Sequence, residues 1–386
     1  MKKILINDNP WQTRIAITEN GRLQNIYFSA HAQQVLERSY FKGKVTKVLP
    51  GIQTAFVEIG QSRAGFLHIS EIDRELAITN MSESTPFDEE DGPRKKSSRR
   101  TKPDISKILK EGEYILVQVS KEPVYEKGAK LTTCFTLPGR FIVLMPNIPR
   151  IGVSKKIGDR EERHRLKDIV RENLPKGMGA IIRTTSEGRL EKEIANDVKF
   201  LVKQWHDIQN SFRTAKSEEK LHEDIDIPLQ IIRDHLDDSV EAVVVDDKAM
   251  QKHVYNFVKN IAPEYSDRVK VFTNDTPIFN HFDIEKQIEA SLAKKASLKS
   301  GGSLIIESTE AMTVIDVNTG RFTGKGNMEE TIFKTNMEAA EEVARQLRLR
   351  NIGGLIVIDF IDMSVPSNRQ KLFNLFEKTL REKDKF

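Results

Sequence analysis

Residues 355–363 read LIVIDFIDM, an apolar run of the kind that forms a buried strand. Asp359 interrupts it, and Asp362 follows three residues later. An ionised carboxylate in apolar surroundings is costly unless something positive meets it, so the run poses the question of what that partner is. The preceding stretches frame an answer. SLIIES (303–308) and AMTVIDVN (311–318) read as strands joined by a tight turn. NMEETIFKTNMEAAEEVARQLRLR (327–350) reads as a helix that has Asn327 as its N-cap and Glu329 and Glu330 in its first turn, and that ends at Asn351 and the Gly353–Gly354 pair. Strand, helix, strand implies parallel neighbours. Asp316 and Asp359 then lie near the C-terminal ends of adjacent strands, the edge where open α/β sheets gather ligands.

Strand parity sets Asp316 and Asn318 on one face, with Ile315 and Val317 on the other. Two neighbouring carboxylates repel unless they are protonated or bridged by a cation. A small set of oxygen ligands suits Mg²⁺, which keeps several waters and shares its shell with phosphate; such an ion polarises a phosphodiester and activates water. The plainer reading, helix capping or pairing with arginine, competes evenly for a lone Asp at a strand end. The pairing of two acids with Asn318 favours the functional one. Asp362 is out of phase with Asp359 and reads as a capping or supporting residue.

The 386 residues suffice for two to four domains. With 31% charged and 38% hydrophobic residues, the chain reads as soluble and globular rather than membranous. The net charge of +4 is compatible with a polyanionic partner without requiring one. The single cysteine, Cys134, excludes an internal disulfide framework. MKKILIND at the start lacks a signal-peptide core and no 18-residue apolar run occurs, so a cytoplasmic protein without a membrane span is expected.

KILIN, RIAIT and LQNIYF near the start are short strands separated by polar turns such as ENG. From about residue 36, short strands punctuated by Gly51, Gly60 and Gly65 predict a small barrel, closed by EYILVQVSKE and KLTTCFTL. Residues 80–104, an acidic run followed by a basic one with RKKSSRR, predict a disordered insertion. On the barrel, Phe56, Phe66 and His68, with Lys44, Lys47 and Lys127, form the combination that holds single-stranded nucleic acid, bases on rings and phosphates on lysines. The competing reading makes Phe56 core. Further on, Ile194, Val198, Leu201, Trp205, Ile208 and Phe212 recur at helical spacing and predict a buried stripe. Arg183 and Thr184, just past the strand of MGAIIRTT, would suit a terminal phosphate or form an ordinary surface pair. AVVVDD, a helical segment and RVKVFT predict another strand–helix–strand unit.

These pieces meet in one known arrangement. IDVNTGRFTGKGNMEETIFKTNMEAAEEVARQLRLRNIGGLIVIDFIDM (315–363) resembles the catalytic signature of the ribonuclease E/G family; GKVTKVLPGIQTAFVEIGQSRAGFLHISEI (43–72) resembles its S1 domain and MGAIIRTT (178–185) its 5′-sensor. The resemblance covers essentially the whole chain. It implies a multidomain α/β (α+β) fold: an RNase H-like domain (1–35 and 221–291) interrupted by an S1, OB-fold barrel (36–132) and a 5′-sensor (133–220), then a DNase I-like catalytic domain (292–386), incomplete. It implies that Asp316 and Asp359 ligand Mg²⁺, with Asn318 hydrogen-bonded to Asp359. Phe56, Phe66 and Lys127 would hold RNA. Arg183 and Thr184 would bind a 5′-monophosphate in a pocket lined by Gly139 and Val143, with Lys155 where the family has an arginine. The family cuts single-stranded, A/U-rich RNA, favours a 5′-monophosphate end and leaves a 5′-phosphate and a 3′-hydroxyl, in rRNA and tRNA processing and mRNA decay. The family's zinc-binding CPxC link is not met before Phe386, so neither Zn²⁺ nor a zinc-built tetramer is expected, and the family's dimer is in question. An RNA-binding fragment without catalysis and a DNA phosphodiesterase are the rival readings. The presence of Asp316, Asn318 and Asp359 argues against the first, the S1-like barrel against the second.

Overall fold

A computed structural model describes residues 1–32, 35–72, 87–88, 104–123, 127–319 and 328–383. The chain divides into two compact units, one of residues 1–32 with 236–386 and one of residues 33–235. Asn327 and the RKKSSRR run of the sequence reading lie outside the described residues.

The first unit holds two sheets. In one, the order is Val269–Val271, Val240–Val245, Lys2–Asp8, Gln12–Glu19 and Arg22–Ala30, the first three parallel and the rest antiparallel. The ENG turn closes its hairpin with Asn20 at φ 52° and Gly21 at φ 77°, the left-handed pair that a two-residue hairpin turn demands. The other sheet runs Lys295–Ser297, Ser303–Ser308, Met312–Asn318, Leu355–Asp359. Its last two strands are parallel and joined by the helix Met328–Leu349. That helix buries Ala339 and Val343 against Leu304, Ile315 and Val317 of the sheet. It stops where Asn351 and Gly354 take positive φ.

One expectation is corrected here. LIVID is the outermost strand of its sheet among the described residues, not a buried strand. Ile356 and Ile358 pack toward the core, while Leu355 and Val357 are 60% and 45% exposed. Asp359 therefore sits on a wet face, and its charge needs no buried partner to be tolerated.

The second unit begins with the predicted barrel. Tyr40–Leu49, Thr54–Glu58, Gly65–His68, Lys130–Thr132 and Tyr114–Lys121 follow one another, and the first pairs with the last to close it. Phe41, Val45, Ala55, Val57, Leu67, Val117 and Leu131 fill its interior. A second sheet has the order Leu137–Pro138, Ile142–Met145, Gly179–Ile182, Ile151–Ser154 and Phe87–Asp88. Two residues of the predicted disordered insertion thus extend this sheet, and Asp104 caps the short helix Ile105–Ile108. The helix Glu191–Thr214 buries Ile194, Val198, Leu201, Trp205 and Ile208 against the sheet, as its spacing predicts, whereas Phe212 is half-buried under Lys42. Residues 221–235 belong to this unit rather than to the first: the strand Glu219–His222 pairs with Tyr40–Lys42, and Arg233 of the helix Ile227–His235 donates to the Pro138 carbonyl. Among the described residues, no helix is long and apolar enough to cross a membrane.

Candidate functional site

The parallel register of Met312–Asn318 and Leu355–Asp359 runs from Met312 opposite Leu355 to Asp316 opposite Asp359. Residues in register share a face, and both carboxylates are exposed at the C-terminal ends of their strands, on the face away from the helices. Adjacent strands lie about 4.8 Å apart, so two ionised carboxylates there repel by roughly 1–3 kcal/mol, depending on how wet the edge is. A cation removes that cost. Asn318, on the same face, donates from Nδ2 to Asp316 Oδ2 at 2.6 Å. The family resemblance implied Asp359 as its partner; one strand carrying Asp316 and Asn318 two residues apart gives the bond to Asp316 instead.

Among the described residues no group of three or more His, Cys, Asp or Glu side chains is arranged to hold a metal. Two carboxylates with an amide are too few for a closed zinc or calcium cage. They fit Mg²⁺, which takes one or two carboxylates and fills its shell with water and phosphate oxygen.

The sequence reading missed the role of Glu329. Its carboxylate reaches from the first turn of its own helix to the start of the next, Pro366–Lys383, accepting from the Ser364 hydroxyl and N–H and from Val365 N–H and Asn368 Nδ2. Those bonds pull it down to about 2. Glu329, not Asp362, holds that helix start; Asp362 lies exposed beside a cavity of about 270 Å³ lined by Phe360, Met363, Leu372 and Phe376.

On the barrel, cross-strand register sets Lys47 opposite Phe56, Phe56 opposite Phe66 and Phe66 opposite Lys130. Ala55, Val57 and Leu67 point inward and are fully buried, whereas Phe56 and Phe66 are half-buried on the outer face. Lys127 is exposed three residues before Lys130, which pairs with Glu71. His68 accepts from Ser70 N–H and bonds its hydroxyl, a local cap.

The third group gathers at one edge of the second sheet. Gly139 precedes the strand Ile142–Met145, Arg183 follows Gly179–Ile182, and Lys155 follows Ile151–Ser154, which runs parallel to it. Val143 pairs with Ile181 one step further in and is half-buried; Thr184 and Lys155 are exposed. Arg183 Nη1 donates to Gly139 O at 2.7 Å, and its Nη2 meets Asp234 Oδ1 at 2.7 Å. The turn before Ile142 is shaped by Asp197, whose carboxylate accepts the N–H groups of Arg140 (3.2 Å), Phe141 (2.8 Å) and Ile142 (3.2 Å). Burial holds Asp197 above the ordinary carboxylate range in spite of these bonds. Burial also pushes Asp234 up, but Arg183 and Arg233 outweigh it and leave this acid low. Neither aspartate was singled out from sequence. Asp197 had a signal, a charge at the helical spacing of the buried stripe between Ile194 and Leu201; Asp234 had none.

The family model described as "Ribonuclease E/G family" matches residues 136–386, and "S1 RNA binding domain" matches 38–133. Ribonuclease G of Escherichia coli K12 is 38% identical over 378 residues, covering 98% of this chain and 75% of the relative. Ribonuclease G of Haemophilus influenzae is 40% identical over 370 residues, 96% of this chain and 73% of the relative. Ribonuclease E of Escherichia coli K12 is 35% identical over 386 residues, 99% of this chain but 35% of that protein.

Proposed function

This chain belongs to the ribonuclease E/G family of RNA-cleaving hydrolases, and from that premise we propose that it is a Mg²⁺-dependent endoribonuclease. Its substrate is single-stranded, A/U-rich RNA, cut faster when the 5′ end is a monophosphate, with 5′-phosphate and 3′-hydroxyl products, in rRNA and tRNA processing and mRNA decay in the cytoplasm. The observation that carries this reading is the direct register of Asp316 with Asp359 on an open sheet edge. In family terms the two sheets of the first unit correspond to the RNase H-like and DNase I-like domains, and the second unit to the S1 barrel and the 5′-sensor.

Asp316 and Asp359 would hold the ion, and Asn318 fixes the Asp316 rotamer by its amide hydrogen bond. When bound there, Mg²⁺ would supply charge neutralisation and polarisation of the phosphodiester. Phe56 and Phe66 offer rings for bases, and Lys127 meets a backbone phosphate. Arg183 contributes a charged fork and Thr184 a hydroxyl to the terminal phosphate.

The test is cleavage of one short A/U-rich RNA as 5′-monophosphate and 5′-hydroxyl twins, with Mg²⁺ and with EDTA. Cutting that needs Mg²⁺ and favours the monophosphate is expected. Cutting that persists in EDTA would remove the metal from the account, and equal rates on the twins would remove the sensor.

A further inference from the structure

The arginine assigned above to the terminal phosphate is already engaged within the protein. Arg183 reaches Gly139 O with Nη1 and Asp234 Oδ1 with Nη2, both at 2.7 Å. The pair is largely withdrawn from water, with side-chain exposures of 24% for Arg183 and 15% for Asp234. Asp234 is itself held: it lies in the last turn of the helix Ile227–His235, and the buried Arg233 donates from Nε to the same Oδ1 at 3.1 Å while meeting Pro138 O with Nη1 at 3.1 Å. Arg183 is thus oriented on one side by a backbone carbonyl and on the other by a carboxylate anchored to a helix.

We propose that Asp234 is the positioning residue of the 5′-phosphate site: it holds the Arg183 guanidinium in its binding orientation before the RNA end arrives. The proposal rests on the sensor reading and adds to it a residue outside that pocket. A guanidinium carries five N–H donors, and the two internal bonds use two of them, so the rest stay available to an anion. Asp234 Oδ1 is shared between Arg183 and Arg233, so the carboxylate that orients Arg183 is itself fixed by a second, buried guanidinium. Ordering a long side chain before binding saves the cost of ordering it during binding.

The experiment measures kcat and KM on the 5′-monophosphate and 5′-hydroxyl twins for the full chain as wild type, R183A, D234N and D234E, with thermal unfolding of each. The monophosphate-over-hydroxyl ratio of kcat/KM falls by about two- to tenfold in D234N, the equivalent of immobilising one long side chain, and the loss appears in the KM of the monophosphate RNA. D234E keeps the charge but moves the carboxylate by one methylene, so it also lowers the ratio; it decides the matter if D234N does not fold. A wild-type or raised ratio in a folded Asp234 variant, with the ratio lost in R183A, overturns the role of Asp234 and leaves the sensor standing. An unchanged ratio in R183A overturns the sensor itself.

Discussion

Replacing Gly139 by alanine tests the second-unit geometry through volume alone. Gly139 does not adopt a positive φ, so the cost of a side chain there is one of space. A Cβ would lie 2.5 Å and 2.8 Å from the two carboxylate oxygens of Asp197 and 2.7 Å from Leu201 Cδ1. Neither neighbour can retreat freely. Leu201 is 1% exposed in the core, and Asp197 is fixed by three backbone N–H groups. Overpacking of this kind costs about 1–3 kcal/mol, and displacing the carboxylate from one buried N–H adds about 1–3 kcal/mol. A total of about 2–6 kcal/mol corresponds to a fall in Tm of roughly 4–24 °C for a unit of this size. Thermal unfolding followed by circular dichroism, with urea unfolding beside it, reads the effect. G158A is the control, because a Cβ at Gly158 meets nothing within 4 Å. Melting of G139A within about 1 °C of wild type would refute the packing of Asp197 against this turn.

Other consequences are equally specific. Glu342 is 2% exposed and receives Arg22, Arg345 and Gln346; E342A removes that shared acceptor while Arg345 keeps its bond to Leu23 O, and should cost about 1–3 kcal/mol in urea unfolding. Burial holds the His222 imidazole below its ordinary value. The unfolded chain therefore takes up that proton first, stability falls as pH drops through about 6.5, and H222Q should flatten that slope in unfolding curves between pH 8 and pH 5 (roughly the span of a histidine's titration). RNA affinity should weaken with salt at a log–log slope of about −0.7 per phosphate contacted; a flat titration would remove the basic barrel face from the account.

The sheet that carries Asp316 and Asp359 was legible because its pattern is periodic. A change from strand to helical spacing and back brackets 303–359, and parity alone put Asp316 and Asn318 on one face. The exposure of Leu355 and Val357 was not legible, since a strand's burial depends on which strand lies beyond it, and sheet order is not written in local sequence. For the same reason the pairing of Glu219–His222 was not legible: the segment reads as short and polar, and its partner Tyr40–Lys42 lies some 180 residues back along the chain. Phe56 was ambiguous between core and surface until register set it opposite Phe66 on the outer face. Asp234 acts across a long sequence separation on Arg183, and no local pattern announces such a partner.

If Asp316 and Asp359 together hold a catalytic Mg²⁺ ion, removing either carboxylate must disable cleavage before it disables RNA binding. The most direct measurement is the cleavage rate of a 5′-monophosphate A/U-rich RNA as Mg²⁺ is titrated, for wild type, D316N and D359N, with RNA binding measured in parallel. The account predicts saturating Mg²⁺ dependence in wild type and, in both variants, cleavage abolished or shifted to far higher Mg²⁺ while RNA is still bound. Wild-type cleavage by either variant at the same Mg²⁺ would contradict it.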